Sequence, residues 1–595
     1  MPQTLLIDRK QVNETFLGNL KNDFNRLIWY SLLAVVLLLA FFYRSLSLTL
    51  ITAIPLFLSW FLTIGILALF KIEFNIFNII ISSFIFGLGV DYSIFITNGL
   101  LTQYRTGEKT LATHKTSIIL SVLTTLLGIG VLVFAKHPAL YSVSIVCVVG
   151  ILSAALVSFT IQPLLFHLFI GSTSKRPITP RVLIHSLLSF AYFDLGGFVL
   201  SVYSWFVMKI SPKAHMKEQL RLHKVTSKFM KSVLYTNPFL TKKVINKYNE
   251  TFEKPAMLIA NHTSFLDILA MGMLHPKLIY LVKDHVYNNP TVGSAAKLHG
   301  AYPVSGGVEN GEDFLKHKVT QGFSIVTFPE GARSTTNKIH RFHKGAFYLA
   351  EKLGLDILPV MIHGGAEVSP KNSFIIRDGD ITVEFLSRIK ANDTTFGATY
   401  SERPKLLGKY FRAEFRKFRN EIEKETYWHQ LLLENYRHKG NAIYKTVKQD
   451  LKAHQKAYKT ILLSLGEKDN IIHLSNDCGQ LDLLMALDSV DRKIFAFLGN
   501  EEARAILKNN YLKHQYSKIK VFETKDEAIE EKGSVLIIDS DDFALNDIPK
   551  GKIDEITILI LLKSAGNQSN IAIEEYGFEI NTEAENVIIL GKKTV

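Results

Sequence analysis

Five long apolar runs, at 28–44, 48–70, 75–98, 117–135 and 140–170, fill the first third of this 595-residue chain. A helix needs about 20 apolar residues to cross the ~30 Å of bilayer hydrocarbon, and only helices or closed barrels satisfy the backbone there. Four of the runs reach that length and the first is at the short end, so this part of the chain is constrained to a helical membrane bundle. The loops set its orientation. Arg44, then Arg105, Lys109 and Lys115, then Lys175 and Arg176 fall on one side, against short loops around Lys71 and Lys136 on the other. Basic loops stay in the cytoplasm, which puts residues 1–27 outside as a short extracytoplasmic segment and the end of the fifth span inside. Residues 1–27 are polar and mixed, without the three-part pattern of a signal peptide.

The remaining length exceeds what one core can hold, so several domains follow the membrane block. The net charge of +14 fits a cytoplasmic face drawn to anionic lipid; no nucleic-acid motif accompanies it, and no nucleic-acid partner is expected. Two cysteines, Cys147 and Cys478, give no basis for a disulfide framework or a metal site.

The third apolar run contains Gly87-Leu-Gly-Val-Asp91-Tyr92. A carboxylate in mid-span costs about 2.5–3.5 kcal/mol on insertion scales and faces a polar interior when it persists. The block resembles the G-x-G-x-D-Y motif of MMPL-type exporters in the RND superfamily, and 28–170 resembles the last five spans of one. That resemblance implies a proton relay through Asp91 and Tyr92, in a lipid or pigment transporter completed by a partner chain or by self-association. On the residues alone, an Asp satisfied by neighbouring helices fits as well.

Gly171 to Pro180 has the composition of a linker. Residues 182–210 are apolar again but carry Asp194 and the Gly196-Gly197 pair, which suggests a monotopic or re-entrant hairpin broken at the glycines. Residues 214–233, with Lys217, Arg221, Lys224, Lys228 and Lys231, read as a basic interfacial helix. Together 171–234 form a connecting region.

From 235 to 425, strand-like runs at 257–260, 278–282, 323–328, 357–362 and 381–385 alternate with helical stretches, an α/β pattern. The first of them delivers Asn261-His262, with Asp267 five residues after the histidine. The third ends in Pro329-Glu330-Gly331-Ala332-Arg333-Ser334. Histidine can take a hydroxyl proton and return it to a leaving thiol, and a nearby carboxylate fixes its tautomer. The two blocks resemble the H-x-x-x-x-D and E-G-x-R-S motifs of the glycerolipid (lysophosphatidate-type) acyltransferases.

The resemblance implies His262 as general base and Asp267 as its orienting partner. It implies Asn261, Glu330, Gly331, Arg333 and Ser334 as acceptor-binding residues. Leu358-Pro359-Val360 resembles the block that closes the family's site, so Pro359 joins that set. The donor would be acyl-CoA or acyl-ACP, with acyl carrier protein a partner in the second case and no cofactor required. One block departs: where glycerol-phosphate users carry an Asp-Arg pair, this chain has Ser305 and Gly306, which leaves the acceptor open. Residues 405–424, with Arg412, Arg416, Lys417 and Arg419, read as a charged amphipathic helix with a solvated face.

From 426 to 595, strand-like runs at 471–474, 494–498, 518–522, 534–539 and 556–562 indicate a Rossmann-like α/β domain. Their order resembles the class I S-adenosylmethionine-dependent methyltransferases. The cofactor pattern is damaged: of the first loop's glycines only Gly479 stands, and the ribose-binding acid falls on Leu498 or Gly499. Asp477 and Glu501 are the nearest substitutes. A methyltransferase-like domain that does not bind S-adenosylmethionine is expected.

The sequence thus predicts a multidomain, multi-pass protein: an α-helical membrane bundle, an α/β acyltransferase domain, then a Rossmann-like domain. It is expected in a bacterial-type inner membrane with both α/β domains cytoplasmic, acting on a lipid acceptor. The alternative is a transporter subunit in which acyl transfer is secondary.

Overall fold

A computed structural model describes residues 9–72, 76–171, 175–210, 215–288, 293–304, 311–516, 518–540, 542–562, 576–584 and 586–593. The chain divides into two compact units, one of residues 1–180 with 425–595 and the other of residues 181–424.

The first unit begins with helices α1 (Arg9–Tyr43), α2 (Leu46–Leu69), α3 (Ile76–Thr106), α4 (Leu111–Gly130) and α5 (Pro138–Phe169). Helix α1 runs without a break from its polar first half into its apolar second half. The bundle centres on α2, α3 and α5, where small residues allow close approach. A Cβ at Gly150 of α5 would come within 2.4 Å of the Ile85 side chain of α3. A polar chain not anticipated from the sequence crosses this dry interior: Thr52 bonds Thr97 at 2.9 Å, and Gln162 donates to Thr97 at 2.7 Å and to the Ser93 carbonyl at 2.6 Å. These bonds offset part of the cost of burying polar groups between the helices.

The C-terminal part of this unit holds strands β8 (Asn470–Ser475), β9 (Lys493–Leu498), β10 (Ile519–Val521), β11 (Val535–Ile538), β12 (Ile558–Leu562), β13 (Phe578–Ala584) and β14 (Val587–Lys592). Their spatial order is β10-β9-β8-β11-β12-β14-β13, with β14 antiparallel to both neighbours. This is a doubly wound sheet whose order reverses between β8 and β11, closed by a terminal hairpin. The hairpin was missed because most of β13's residues are solvated.

The end of α3 packs on this domain. Lys439 Nζ donates to the carbonyls of Tyr104 and Asn509, Asn509 Nδ2 donates to the Thr106 carbonyl at 2.8 Å, and Arg105 pairs with Glu502. The Lys439 ammonium also lies 3.9 Å from the Tyr104 ring centre. Burial pulls the Lys439 pKa down to about 7.

The second unit opens with helices α6 (Pro180–Ile210) and α7 (His215–Tyr235). Its sheet comprises β1 (Leu240–Ile245), β2 (Ala256–Ala260), β3 (Leu278–Val282), β4 (Tyr302–Pro303), β5 (Ser324–Thr327), β6 (Asp356–His363) and β7 (Gly379–Phe385), in the order β1-β7-β6-β2-β5-β3-β4. Strands β2 and β6 are buried throughout, which is why their runs are unbroken in the sequence. The edge strand β1, Leu-Thr-Lys-Lys-Val-Ile, hides its character behind two lysines, a common protection for an exposed edge.

Helix α6 is continuous through Gly196-Gly197, so the broken-hairpin expectation fails. Among the described residues, six helices are long and apolar enough to cross a membrane by length and composition, α6 among them. One side of it packs on the domain. Arg181 pairs with Asp378, the Ile376 N–H donates to Ser186 Oγ at 2.9 Å, and Phe193 packs edge-on against Phe265 at 5.1 Å. A Cβ at Gly196 would meet the Phe229 ring of α7 at 2.3 Å, so Gly196 serves close helix packing. Opposite that docked side, Leu187, Leu188, Leu195, Phe198 and Val202 are exposed.

The amphipathic helix Arg403–Ile422 forms as expected, but its charged side is not all solvated. Arg419 is buried and its Nε donates to Glu423 Oε1 at 2.6 Å, while His363 Nε2 lies 2.8 Å from the same oxygen. Burial alone would raise the Glu423 carboxyl; Arg419 and His363 outweigh it and hold the pKa down to about 2.

Candidate active site

Strand β2 ends at Ala260, and the chain turns at once into helix α8 (Leu266–Gly272). One carboxylate oxygen organises that turn. Asp267 Oδ2 accepts from the Thr263 N–H at 2.7 Å, the Ser264 N–H at 2.8 Å and the His262 ring at Nδ1, 3.0 Å away. A carboxylate can only accept, so Nδ1 carries the imidazole proton and Nε2 presents a lone pair. Phe328, just after β5, stacks on the His262 ring at 4.1 Å and restricts its rotation.

Behind Asp267 stands a residue the sequence reading passed over. A Cβ at Gly365 would fall 2.7 Å from Asp267 Oδ1 and 2.8 Å from Thr263 Oγ1, so only glycine fits. Its neighbour Gly364 has φ of 90° and would drive a Cβ to within 1.7 Å of the Asp380 carbonyl. The Gly-Gly pair directly after a buried strand was the available signal.

The expected acceptor-binding residues separate into two groups. Gly331 and Arg333 line a cavity of about 660 Å³ that also takes in His262. Arg333 makes no ion pair among the described residues, and Lys283 and Lys371 line the same cavity. Gly331 adopts φ of 70°, with His343 too close for a side chain.

The others face the scaffold. Both ends of the Asn261 amide pair with the Ile362 backbone at 2.8 Å, tying the end of β2 to β6. Pro359 is buried within β6 opposite Ile259. Ser334 is buried, and its N–H donates to the His262 carbonyl at 2.8 Å. Glu330 is buried as well, its two oxygens accepting from the His262 N–H at 2.9 Å and the His340 N–H at 2.7 Å. Burial raises the Glu330 pKa to about 7 against those two hydrogen bonds. These residues position the loop that carries His262. Ser305 and Gly306 lie outside the described residues.

Most of the cavity wall is apolar, with Phe193 and Leu200 from α6, Phe229 and Met230 from α7, and Phe265, Leu269 and Leu278 from the domain. A basic nucleophile-activating nitrogen, cationic groups and a long apolar wall together suit an amphiphile with a reacting hydroxyl.

In the membrane bundle the two residues of the Asp91-Tyr92 motif diverge. Tyr92 is buried, whereas the Asp91 side chain is exposed on the outer surface of α3. Among the described residues no cluster of His, Cys, Asp and Glu is arranged to hold a metal ion.

Comparison with known proteins gives the same division. Residues 241–363 match the Acyltransferase family and residues 18–188 match the MMPL family. The chain thus joins an MMPL-like membrane region to an acyltransferase domain, followed by an α/β region that neither match covers.

Among individual proteins, 136 residues are 32% identical to the chloroplastic 1-acyl-sn-glycerol-3-phosphate acyltransferase BAT2 of Brassica napus, covering 22% of this chain and 40% of the relative. The human 1-acyl-sn-glycerol-3-phosphate acyltransferase beta is 26% identical over 166 residues, covering 27% and 58%. The chain therefore spans about 40% of the length of the first of these relatives. The 1-acyl-sn-glycerophosphate acyltransferase PlsC of Thermotoga maritima aligns in three dimensions at 21% identity and a TM-score of 0.34, over 41% of this chain and 99% of that one.

Proposed function

We propose that residues 181–424 transfer an acyl group from an acyl thioester, acyl-CoA or acyl carrier protein, to the hydroxyl of a lysophosphatidate-like acceptor. The acceptor hydroxyl gives its proton to His262 Nε2 as its oxygen attacks the thioester carbonyl. Collapse of the tetrahedral species expels the thiolate, which takes that proton back. Asp267 keeps Nδ1 protonated and stabilises the transient imidazolium. Arg333, Lys283 and Lys371 hold an anionic headgroup, which answers the missing arginine at Gly306. No metal or other cofactor takes part. The observation that carries this reading is the Asp267–His262 contact of 3.0 Å, which leaves Nε2 free beside an amphiphile-sized cavity.

The membrane arrangement follows from α6 and α7. The exposed apolar side of α6 sinks into one leaflet, and Lys217, Arg221, Lys224, Lys228 and Lys231, all exposed on α7, meet anionic headgroups. Access from the cytoplasmic face of an inner membrane matches where acyl thioesters are made.

The test uses membranes containing the protein, labelled acyl-CoA or acyl-ACP and defined lysolipids. His262-dependent conversion of lysophosphatidate to phosphatidate supports the reading. Absence of any His262-dependent product from either donor refutes it.

The exposed Asp91 favours a second reading, in which the membrane region is one part of a proton-driven lipid or pigment transporter. An exposed mid-span carboxylate is costly against lipid, so a partner chain or a second copy covers it. Loss of a transport phenotype in Asp91→Asn but not in His262→Ala would make this the principal function.

A further inference from the structure

The cavity has a polar point on its wall that the proposed acyl transfer does not use. His223 of α7 and His299, just after the helix Gly293–Leu298, both line it, with ring centres 4.8 Å apart and planes at 83°. His223 is buried and hydrogen-bonds the Pro276 carbonyl, which can only accept; its Nε2 has no partner. The ring proton therefore sits on Nδ1, and Nε2 is a bare acceptor in an apolar wall. His299 Nε2 is 2.7 Å from Thr226 Oγ1, and its Nδ1 likewise has no partner. Burial pulls the two pKa values down to about 3 and about 4, so both rings are neutral at physiological pH. A buried polar atom without a partner is unfavourable, and both of these sit, with almost no accessible surface, on residues that line the cavity.

We propose that His223 and His299 form a recognition point for a hydroxyl carried on the long chain of the substrate, so that the enzyme selects a hydroxylated acyl chain over a plain one. The hydroxyl donates to His223 Nε2 and completes the unpaired site, with His299 Nδ1 as its second neighbour. A saturated chain of the same length leaves Nε2 desolvated and unpaired. Charged chain ends are excluded, because neutral imidazoles offer no counter-charge, and Lys318 is already held by Gln219 at 2.8 Å. This deepens the acyltransferase reading and rests on it.

The experiment uses the full chain in lipid nanodiscs. In the donor arm, palmitoyl-CoA competes with hydroxypalmitoyl-CoA isomers bearing the hydroxyl at successive positions. In the acceptor arm, the hydroxyl is placed on the lysolipid chain instead. One satisfied neutral hydrogen bond corresponds to about tenfold, so one isomer in one arm should be preferred by about that factor in kcat/KM. His223→Phe, which keeps a ring but no acceptor, should bring the ratio to near one; His299→Phe should lower it, and His223→Gln should restore part of it.

Displacement of a fluorescent fatty acid from the His262→Ala chain by palmitate and hydroxypalmitate gives the same comparison without turnover. A preference there with no product from any donor would sink the catalytic reading and keep the recognition point. Equal use of plain and hydroxylated chains in both arms, with equal displacement, would show that a trapped water alone satisfies the pair and would overturn the proposal.

Discussion

The chain carries two α/β sheets whose strand ends are treated in opposite ways. At the ends of β2 and β5, the scaffold absorbs several polar side chains and leaves others to the cavity: Asn261, Glu330 and Ser334 are bonded to backbone, while His262 Nε2 and Arg333 are left available. At the ends of β8 and β11, where the strand order reverses and a ligand crevice would open, most polar groups are spent on one another, and those left without a hydrogen bond, His473 Nε2 and Asp482 Oδ2, are buried. Buried His473 lies 2.8 Å from Asp482 and 3.5 Å from Asp539, Ser475 donates to Asp539 at 2.6 Å, and Gln480 donates to Asp450 at 2.7 Å. Asn476 occupies the space above Gly499, within 2.0 Å of where a Cβ would stand, and bonds Ser540 and Asp542. An active strand end is distinguished by which polar atoms remain unpaired, more than by how many it has.

The strongest way to break this contrast is to remove the free nitrogen. His262→Ala should cost at least about 10²-fold in acyl transfer, the usual range for a general base, with the circular dichroism spectrum unchanged. Near-normal turnover would refute the assignment. Crowding the carboxylate from behind tests the scaffold instead: Gly365→Ala should also cost about 10²-fold, since a misplacement of about 1 Å suffices for that. Its crystal or cryo-EM structure should show Asp267 displaced.

The C-terminal sheet should respond in stability rather than chemistry. Asp482 and Asp539 outweigh burial and hold the His473 pKa well above its ordinary value. Its contribution is complete below about pH 6.5, the unfolded value, and is lost as pH rises through the folded one. His473→Leu leaves the buried Asp482 carboxylate unpaired and should destabilise the domain by about 3–5 kcal/mol in urea unfolding. Calorimetry of the intact protein with S-adenosylmethionine should register no heat, and micromolar binding would remove the contrast.

The smallest effect concerns acid. With its pKa near 2, Glu423 stabilises the fold fully above about pH 4.5, and that contribution disappears as pH falls towards 2. Glu423→Gln should therefore lower stability at neutral pH and flatten the acid limb of a melting-temperature profile. An unchanged limb would assign acid sensitivity elsewhere.

Much of this was legible because buried parallel strands announce themselves. The runs that became β2, β3, β5, β6 and β7 are apolar, and the residues following β2 and β5 are those that chemistry at a strand end requires. What the sequence withheld was direction. Asn261 sits beside His262, yet its amide turns to the Ile362 backbone because the end of a parallel strand leaves donors and acceptors to satisfy. Glu330 falls in a motif associated with acceptor binding, yet two backbone N–H groups claim it. The Gly196-Gly197 pair suggested a break, and instead Gly196 admits the Phe229 ring. Spacing identifies residue types; packing decides which way each one points.

The docking of α3 on the C-terminal domain carries a mechanical consequence. A helix is nearly incompressible along its axis, rising 1.5 Å per residue. Sliding α3 by even one residue would break the Lys439 bond to Tyr104 and the Asn509 bond to Thr106 together. The terminal domain is thus an end-stop for the helix that bears Asp91.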